Sequence, residues 1–82
     1  NIKTYIMIDH NTGYYKIGRS ADPKKRERTL QSEKPTIEML FCFKSDEKEE
    51  IHLHLLFKDK RVRGEWFDLT VKDLGKIKEY LS

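Results

Sequence analysis

Glu50 and His54 stand four residues apart in a segment, Asp46 to about Lys58, that otherwise reads as an amphipathic helix. At about 100° per residue, Leu53, Leu56 and Phe57 fall on one side of Glu50, and Ile51 and Leu55 on the other. A carboxylate inside an apolar arc is costly unless it is paired, protonated or bound to a metal. Two explanations stay open: a buried ion pair, with Arg26 as partner, or a metal ligand beside a catalytic site. His52 is two residues from His54 and faces another way on a helix. A His–His metal pair is therefore not expected, and His52 should be solvated.

A second stretch with chemical potential runs from Tyr15 to Arg26. Its first part alternates as a strand and breaks at Gly18, where a residue without Cβ lets the chain turn or be approached closely. It restarts as a helix, with Asp22 as N-cap and Pro23 in the first helical position. Lys24, Lys25 and Arg26 follow in the first turn, where the helix dipole prefers acids. Cations placed there mark either a phosphate site or a solvated basic turn. From Lys16 to Arg28, six cations (Lys16, Arg19, Lys24, Lys25, Arg26, Arg28) face two acids (Asp22, Glu27).

These residues need a scaffold to position them. Ile2, Thr4, Ile6 and Ile8 alternate with Lys3, Tyr5, Met7 and Asp9, so a first strand should pack its Ile face and leave its Tyr5 face free. His10 to Gly13 reads as a hairpin turn into the second strand, Tyr14 to Ile17. The first helix, about Pro23 to Ser32, has Leu30 as its only large apolar residue, so Arg26 on the same face should turn its stem inward. Thr36 to Phe43 forms a third strand with Ile37, Met39, Phe41 and Phe43 on one face. Asp46 and Glu49 fit a capping box for the second helix. Arg61 to Gly64 reads as a basic loop, and Glu65 to Leu69 as an extended segment in which Trp66 or Phe67 closes the core. Val71 to about Leu81 is the last helix. Trp66 reads as core rather than as a base-stacking platform. The expectation is an α/β protein, an α+β sandwich. Its small three-stranded antiparallel sheet is flanked by about three helices in the order β-β-α-β-α-α.

Composition bounds the function. An 82-residue chain with 37% hydrophobic, 11% aromatic and 38% charged residues is expected to form one small globular domain over residues 1–82. Its net charge of +3 permits a polyanionic partner without demanding one. The one cysteine, Cys42, excludes an intrachain disulfide and a cysteine zinc site, and suits a reducing compartment. No apolar run reaches the length of a membrane span and no signal peptide is visible, so a cytoplasmic location without a membrane partner is expected. The chain opens on Asn1, which reads as a domain excised from a longer protein.

The pieces together resemble the GIY-YIG nuclease superfamily. Lys3-Thr4-Tyr5 stands at the first triplet and Lys16-Ile17-Gly18 at the second. Arg26 stands where the family arginine belongs, and Glu50 matches the family glutamate. The triplets are degenerate in the manner of the phage T5 open-reading-frame-172 branch. In that branch a Lys-Ile-Gly-Arg-Ser/Thr run, a Glu-x-x-x-His helix and a Gly-Glu-Trp-Phe block recur together. Lys16 to Ser20, Glu50 to His54 and Gly64 to Phe67 supply all of these, and the resemblance covers about residues 3–70.

The resemblance implies a metal-dependent endonuclease, acting on nucleic acid and most plausibly on DNA. Tyr5 would be the general base or would position the water, with Lys16 lowering its pKa from the ordinary value of about 10. Arg26 would hold a non-bridging phosphate oxygen through its planar fork. Glu50 would ligate one Mg²⁺ or Mn²⁺, a lone carboxylate with several waters suiting hard cations. His54 would orient Glu50 or a water. Arg19, Lys24 and Lys25 would contact phosphate. Tyr5, Lys16, Arg26 and Glu50 should then converge on one surface, and sequence specificity would lie in a fused or separate module. The rivals are a non-catalytic nucleic-acid-binding module of the same fold and a structural interaction domain. Metal-dependent nicking separates the first rival, and salt-titrated binding the second.

Overall fold

The structure, a computed structural model, describes residues 2–81, so the reading of Asn1 as a cut end lies outside it. β1 (Lys3–Asp9) and β2 (Tyr15–Ser20) form an antiparallel hairpin. Its turn closes on Gly13 at φ +76°, and Asp9 Oδ1 accepts the Asn11 N–H at 2.9 Å. After α1 (Pro23–Glu33), β3 (Ile37–Lys44) returns antiparallel to the other side of β1. Then come α2 (Glu47–Leu56), a 3₁₀ turn at Lys58–Lys60, β4 (Arg61–Arg63), β5 (Trp66–Phe67) and α3 (Val71–Leu81). The sheet therefore has five strands in the order β3-β1-β2-β5-β4, and the chain runs β-β-α-β-α-β-β-α.

This corrects the expected three-stranded sheet. Arg61 to Arg63 is a strand, not a loop, and it pairs with β5 through a turn at Gly64, φ +56°. β5 in turn pairs antiparallel with β2 at Tyr15 and Lys16. The second strand also does not break at Gly18 but continues to Ser20. Gly18 serves the close-approach purpose instead. It faces Tyr5 across the hairpin, and a Cβ there would overlap the Tyr5 ring and its hydroxyl.

Both faces of the sheet are covered. On one, Ile6, Ile17 and Phe67 pack with Leu53 and Phe57 of α2 and Ile77 of α3. On the other, Tyr5, Met7 and Ile37 pack with Leu30 of α1, Met39 and Trp66. The Tyr5 face of β1 is thus buried rather than free. Thr4, Tyr5, Ile6 and Met7 are all fully inaccessible, because α1 closes over the side that the Ile alternation left unassigned. The expected single face for Ile37, Met39, Phe41 and Phe43 is also split. The register against β1 shifts between Ile6 and Met7, so Met39 pairs with Met7 while Phe41 pairs with Ile6 on the opposite face.

Local signals explain where the helices begin. Asp22 Oδ1 accepts the Lys25 N–H at 3.1 Å and Pro23 opens α1. Asp46 and Glu49 form the complete capping box of α2. Burial on α1 follows Pro23, Glu27, Leu30 and Gln31, with Glu27 Oε2 accepting the Met39 N–H at 2.7 Å. Arg26 lies one position off that stripe and is exposed, so its stem does not turn inward as expected. On α2 only half of the apolar arc is covered. Leu53 and Phe57 anchor it, each burial stabilising by about 1.5–3 kcal/mol before entropy is counted, while Ile51, Leu55 and Leu56 face solvent. Among the described residues no helix is long and apolar enough to cross a membrane.

Candidate active site

The short length of β5 creates the site. β2 extends beyond it, so Gly18, Arg19 and Ser20 have no strand beside them on that side. The last ladder bond there runs from the Ile17 N–H to the Glu65 carbonyl at 3.0 Å. The Ile17 carbonyl then has no strand partner, and His54 Nε2 takes its place at 2.8 Å. A carbonyl only accepts, so Nε2 donates and Nδ1 is the ring nitrogen left for another partner. Phe67 meets the same ring edge-on, with centroids 5.0 Å apart. His54 is half-buried and fixed in orientation.

Around that open edge lie the acids. Glu50, one helical turn before His54, is 8% exposed. Its carboxylate makes no hydrogen bond or ion pair among the described residues. Burial pushes its pKa up, the Glu65 charge pushes the same way, and His54, Arg19 and Lys16 oppose. Glu65, at the turn into β5, is the residue that sequence reasoning left without a role. Ligand atoms of Glu50, His54 and Glu65 lie within 4.8 Å of one another. Two carboxylates and one imidazole whose other nitrogen donates to a backbone carbonyl form a set that fits a divalent cation. The only sequence signal for Glu65 was its place in the Gly-Glu-Trp-Phe block, and its proximity to Glu50 arises only when β5 pairs with β2.

Lys16 Nζ holds Glu65 at 3.1 Å, with its side chain 13% exposed, and sits 5.4 Å from the centroid of the Trp66 ring. It is turned toward Glu65 and does not rank among the charges acting on Tyr5. The Tyr5 hydroxyl is fully buried against Gly18 and has no hydrogen-bond partner among the described residues. Its pKa is pushed up to about 12, first by burial, then by Glu65; Arg26 pulls it down and Glu50 adds a smaller push. The expected lowering by Lys16 is therefore corrected: in this state the Tyr5 hydroxyl keeps its proton, and burial, the largest cause, opposes the phenolate a base would need.

Tyr5 and α1 lie on one face of the sheet, and α2 with Glu50 on the other. The expected convergence of Tyr5, Lys16, Arg26 and Glu50 on one surface is therefore corrected: the sheet separates Tyr5 and α1 from α2, although the charges of Glu65, Arg26 and Glu50 still act on the Tyr5 hydroxyl. Arg26 and Lys25 line a shallow depression of about 300 Å³ with Ser20, Ala21, Asp22 and Thr29, just beyond the end of β2. Arg19 projects on the α2 side, where it pairs with Glu47 at 2.9 Å. Lys24 is exposed on the first turn of α1 and makes no ion pair among the described residues.

A family profile, the T5orf172 domain, matches residues 3–82. No curated protein and no solved structure shows significant similarity to the chain. The profile match spans β1 through α3, including the open edge, both glutamates and His54, and the chain belongs to the T5orf172 domain family.

Proposed function

We propose that this domain is a GIY-YIG-type endonuclease that hydrolyses nucleic-acid phosphodiester bonds, most readily those of DNA, with one bound Mg²⁺ or Mn²⁺. The observation that carries the reading is a pair of unsatisfied groups at one sheet edge. A buried hydroxyl without a partner among the described residues stands within electrostatic reach of Glu50, a residue 8% exposed whose carboxylate makes no hydrogen bond or ion pair among the described residues. Folding alone gains nothing from either. Family membership supports a nuclease-like or nucleic-acid-binding module.

Glu50, Glu65 and His54 Nδ1 would hold the cation, and the imidazole shifts preference from Mg²⁺ toward Mn²⁺. The ion, when bound, supplies positive charge for a non-bridging phosphate oxygen and a more acidic water. Arg26 and Lys25 bind the phosphate from the α1 side, and Arg26's fork holds it in line. Lys16, released from Glu65, is a second cation for the phosphate. Burial, the largest cause of the raised Tyr5 pKa, would stay, but neutralising Glu65 and Glu50 would remove the charges that add to it and leave that of Arg26, which lowers it. In that state a Tyr5 phenolate, its own proton having passed to solvent, would accept a proton from the attacking water, or the neutral hydroxyl would hold the water in line. Arg19 and Lys24 contribute phosphate contacts along the strand.

A non-catalytic binding module remains the second reading, favoured by the high Tyr5 pKa and by the Lys16–Glu65 pair. Plasmid nicking with Mg²⁺ or Mn²⁺, against a chelator control, decides between them. Wild type should nick. Glu50→Gln should lose nicking and keep binding, whose log affinity should fall with log salt by about 0.9 per phosphate contacted. Salt-sensitive binding without nicking selects the second reading, and wild-type nicking by Glu50→Gln removes Glu50 from the mechanism.

A further inference from the structure

A second concavity lies on the same sheet face as Tyr5, at the hairpin end. It is a groove of about 210 Å³ whose lining includes Asp9, Tyr14, Lys34, Val62, Arg63 and Trp66. It brings together the start of the β1–β2 turn, the C-cap of α1, and the β4–β5 hairpin. Trp66 is only half-buried, so it does not serve as core alone: it also forms a wall of this groove.

The chemistry of the walls is mixed in a specific way. Asp9 is 3% exposed and accepts Thr36 Oγ1 at 2.6 Å and the Asn11 N–H at 2.9 Å, both through Oδ1. Oδ2 accepts nothing among the described residues. The Thr36 bond keeps this carboxyl well ionised, with the Asn11 N–H and Lys34 assisting. Lys34 and Arg63 are exposed cations, and neither forms a salt bridge among the described residues. An inorganic anion alone would meet the Asp9 carboxylate, and a simple cation would meet Lys34 and Arg63. A ligand that satisfies all of them carries an aromatic plane, an N–H donor at one end and an anion at the other.

We infer that this groove takes an unstacked nucleobase bearing an exocyclic amine, set against Trp66 with its amine toward Asp9 Oδ2 and its phosphate on Lys34 and Arg63. The inference rests on the nucleic-acid reading of the open-edge site. Tyr5 and Asp9 are four residues apart on β1, about 13 Å of strand. The base in the groove therefore belongs to a nucleotide flanking the cleaved one. Single-stranded segments are commonly held this way, by aromatic stacking with cations along the backbone. The amine requirement makes cytosine, adenine or guanine acceptable and thymine poor.

Trp66 is the only tryptophan of the chain, so its fluorescence reports on this groove. The experiment titrates dCMP, dTMP, inorganic phosphate and short oligo(dC) and oligo(dT) into the protein with a chelator present, so that no cleavage intervenes. Oligo(dC) and millimolar dCMP should change Trp66 emission saturably, with dTMP and oligo(dT) weaker and inorganic phosphate without effect. The Lys34→Ala/Arg63→Ala double variant should bind oligo(dC) about fivefold more weakly or worse, the factor that matches about 1 kcal/mol. Lys76→Ala, an exposed cation of α3 on the opposite sheet face, should leave the dCMP response unchanged. The proposal falls if oligo(dC) gives no saturable response, if dCMP and phosphate act alike, or if the double variant binds as wild type. A response lost in Arg26→Ala but kept in the double variant assigns it to the open edge and also overturns the groove. Failure of nicking alone bears on the nuclease reading and leaves this titration intact.

Discussion

Asp73 and Glu50 are both buried acids near the start of helices, 5% and 8% exposed, and their surroundings differ completely. Asp73 accepts the Lys60 ammonium and the Thr70 N–H at 2.9 Å, while its own N–H reaches Thr70 Oγ1 at 3.1 Å. Burial pushes its pKa up, but these bonds outweigh that and hold it below the ordinary value. Asp9, at the hairpin turn, is held low in the same way. Glu50 has neither hydrogen bond nor ion pair among the described residues, and its pKa is raised. Asp73 is thus a finished part of the fold, Asp9 is bonded through Oδ1 alone, and Glu50 is left open within reach of the Tyr5 hydroxyl, the buried side-chain polar atom that lacks a partner among the described residues. Groups whose burial folding does not compensate are the ones a ligand can satisfy, which is why the open pair points to function.

The largest expected effect lies on the finished side. Asp73→Ala removes the reciprocal cap of α3 and the anchor of Lys60, and should lower the unfolding free energy by about 2 kcal/mol. Urea melts check this. A change within about 0.5 kcal/mol, the range of an ordinary surface substitution, would erase the contrast between the two acids.

On the open side the sign should reverse. Tyr5→Phe deletes a hydroxyl that has no partner and keeps the ring packed over Gly18. It should stabilise the ligand-free domain by about 1 kcal/mol, because the unpaired hydroxyl's desolvation is no longer required. The same variant should slow nicking. A loss of stability would mean that Tyr5 hydrogen-bonds in solution and that half of the contrast is absent.

How much of this was readable beforehand depended on the range of the interaction. The β1–β2 hairpin, the Asp22-Pro23 start of α1 and the Asp46–Glu49 box of α2 are local, and residue types a few positions apart specify them. Glu50 was conspicuous because helical phase put it beside Leu53 and Phe57. The β4–β5 pair was missed because strands of three and two residues carry no period. Glu65 was missed with it, since nothing in its neighbourhood marks it as close to Glu50 and His54. Alternation along β3 ran unbroken through a register shift that moves Phe41 to the other face, because a bulge changes pairing without changing residue type. The faces of β1 were misjudged because Thr4, Tyr5 and Met7 serve equally on a wet or a dry surface.

The smallest effect, and the sharpest in sign, belongs to Glu50→Gln. The folded-state pKa of Glu50 lies above its ordinary 4.5, so the folded protein holds this proton more tightly than the unfolded chain does. The charge therefore destabilises the fold, fully above the raised pKa and progressively less as pH falls through it toward 4.5. Gln keeps the volume and removes that charge beside Glu65. The variant should match or exceed wild type at neutral pH, by less than about 1 kcal/mol, and the difference should close on acidification. Asp9 and Asp73 work with the opposite sign, since their pKa values lie below the ordinary 3.8 and their contribution is lost only as pH falls through those lower values. Acid unfolding should accordingly be unchanged by Glu50→Gln. A divalent cation reverses the ranking. Mn²⁺ should raise the melting temperature of wild type, where Glu50, Glu65 and His54 would hold it, and shift the Gln variant much less. Equal shifts would place the cation elsewhere, and a Gln variant less stable than wild type at neutral pH would show that Glu50 is a paired structural acid of the same kind as Asp73.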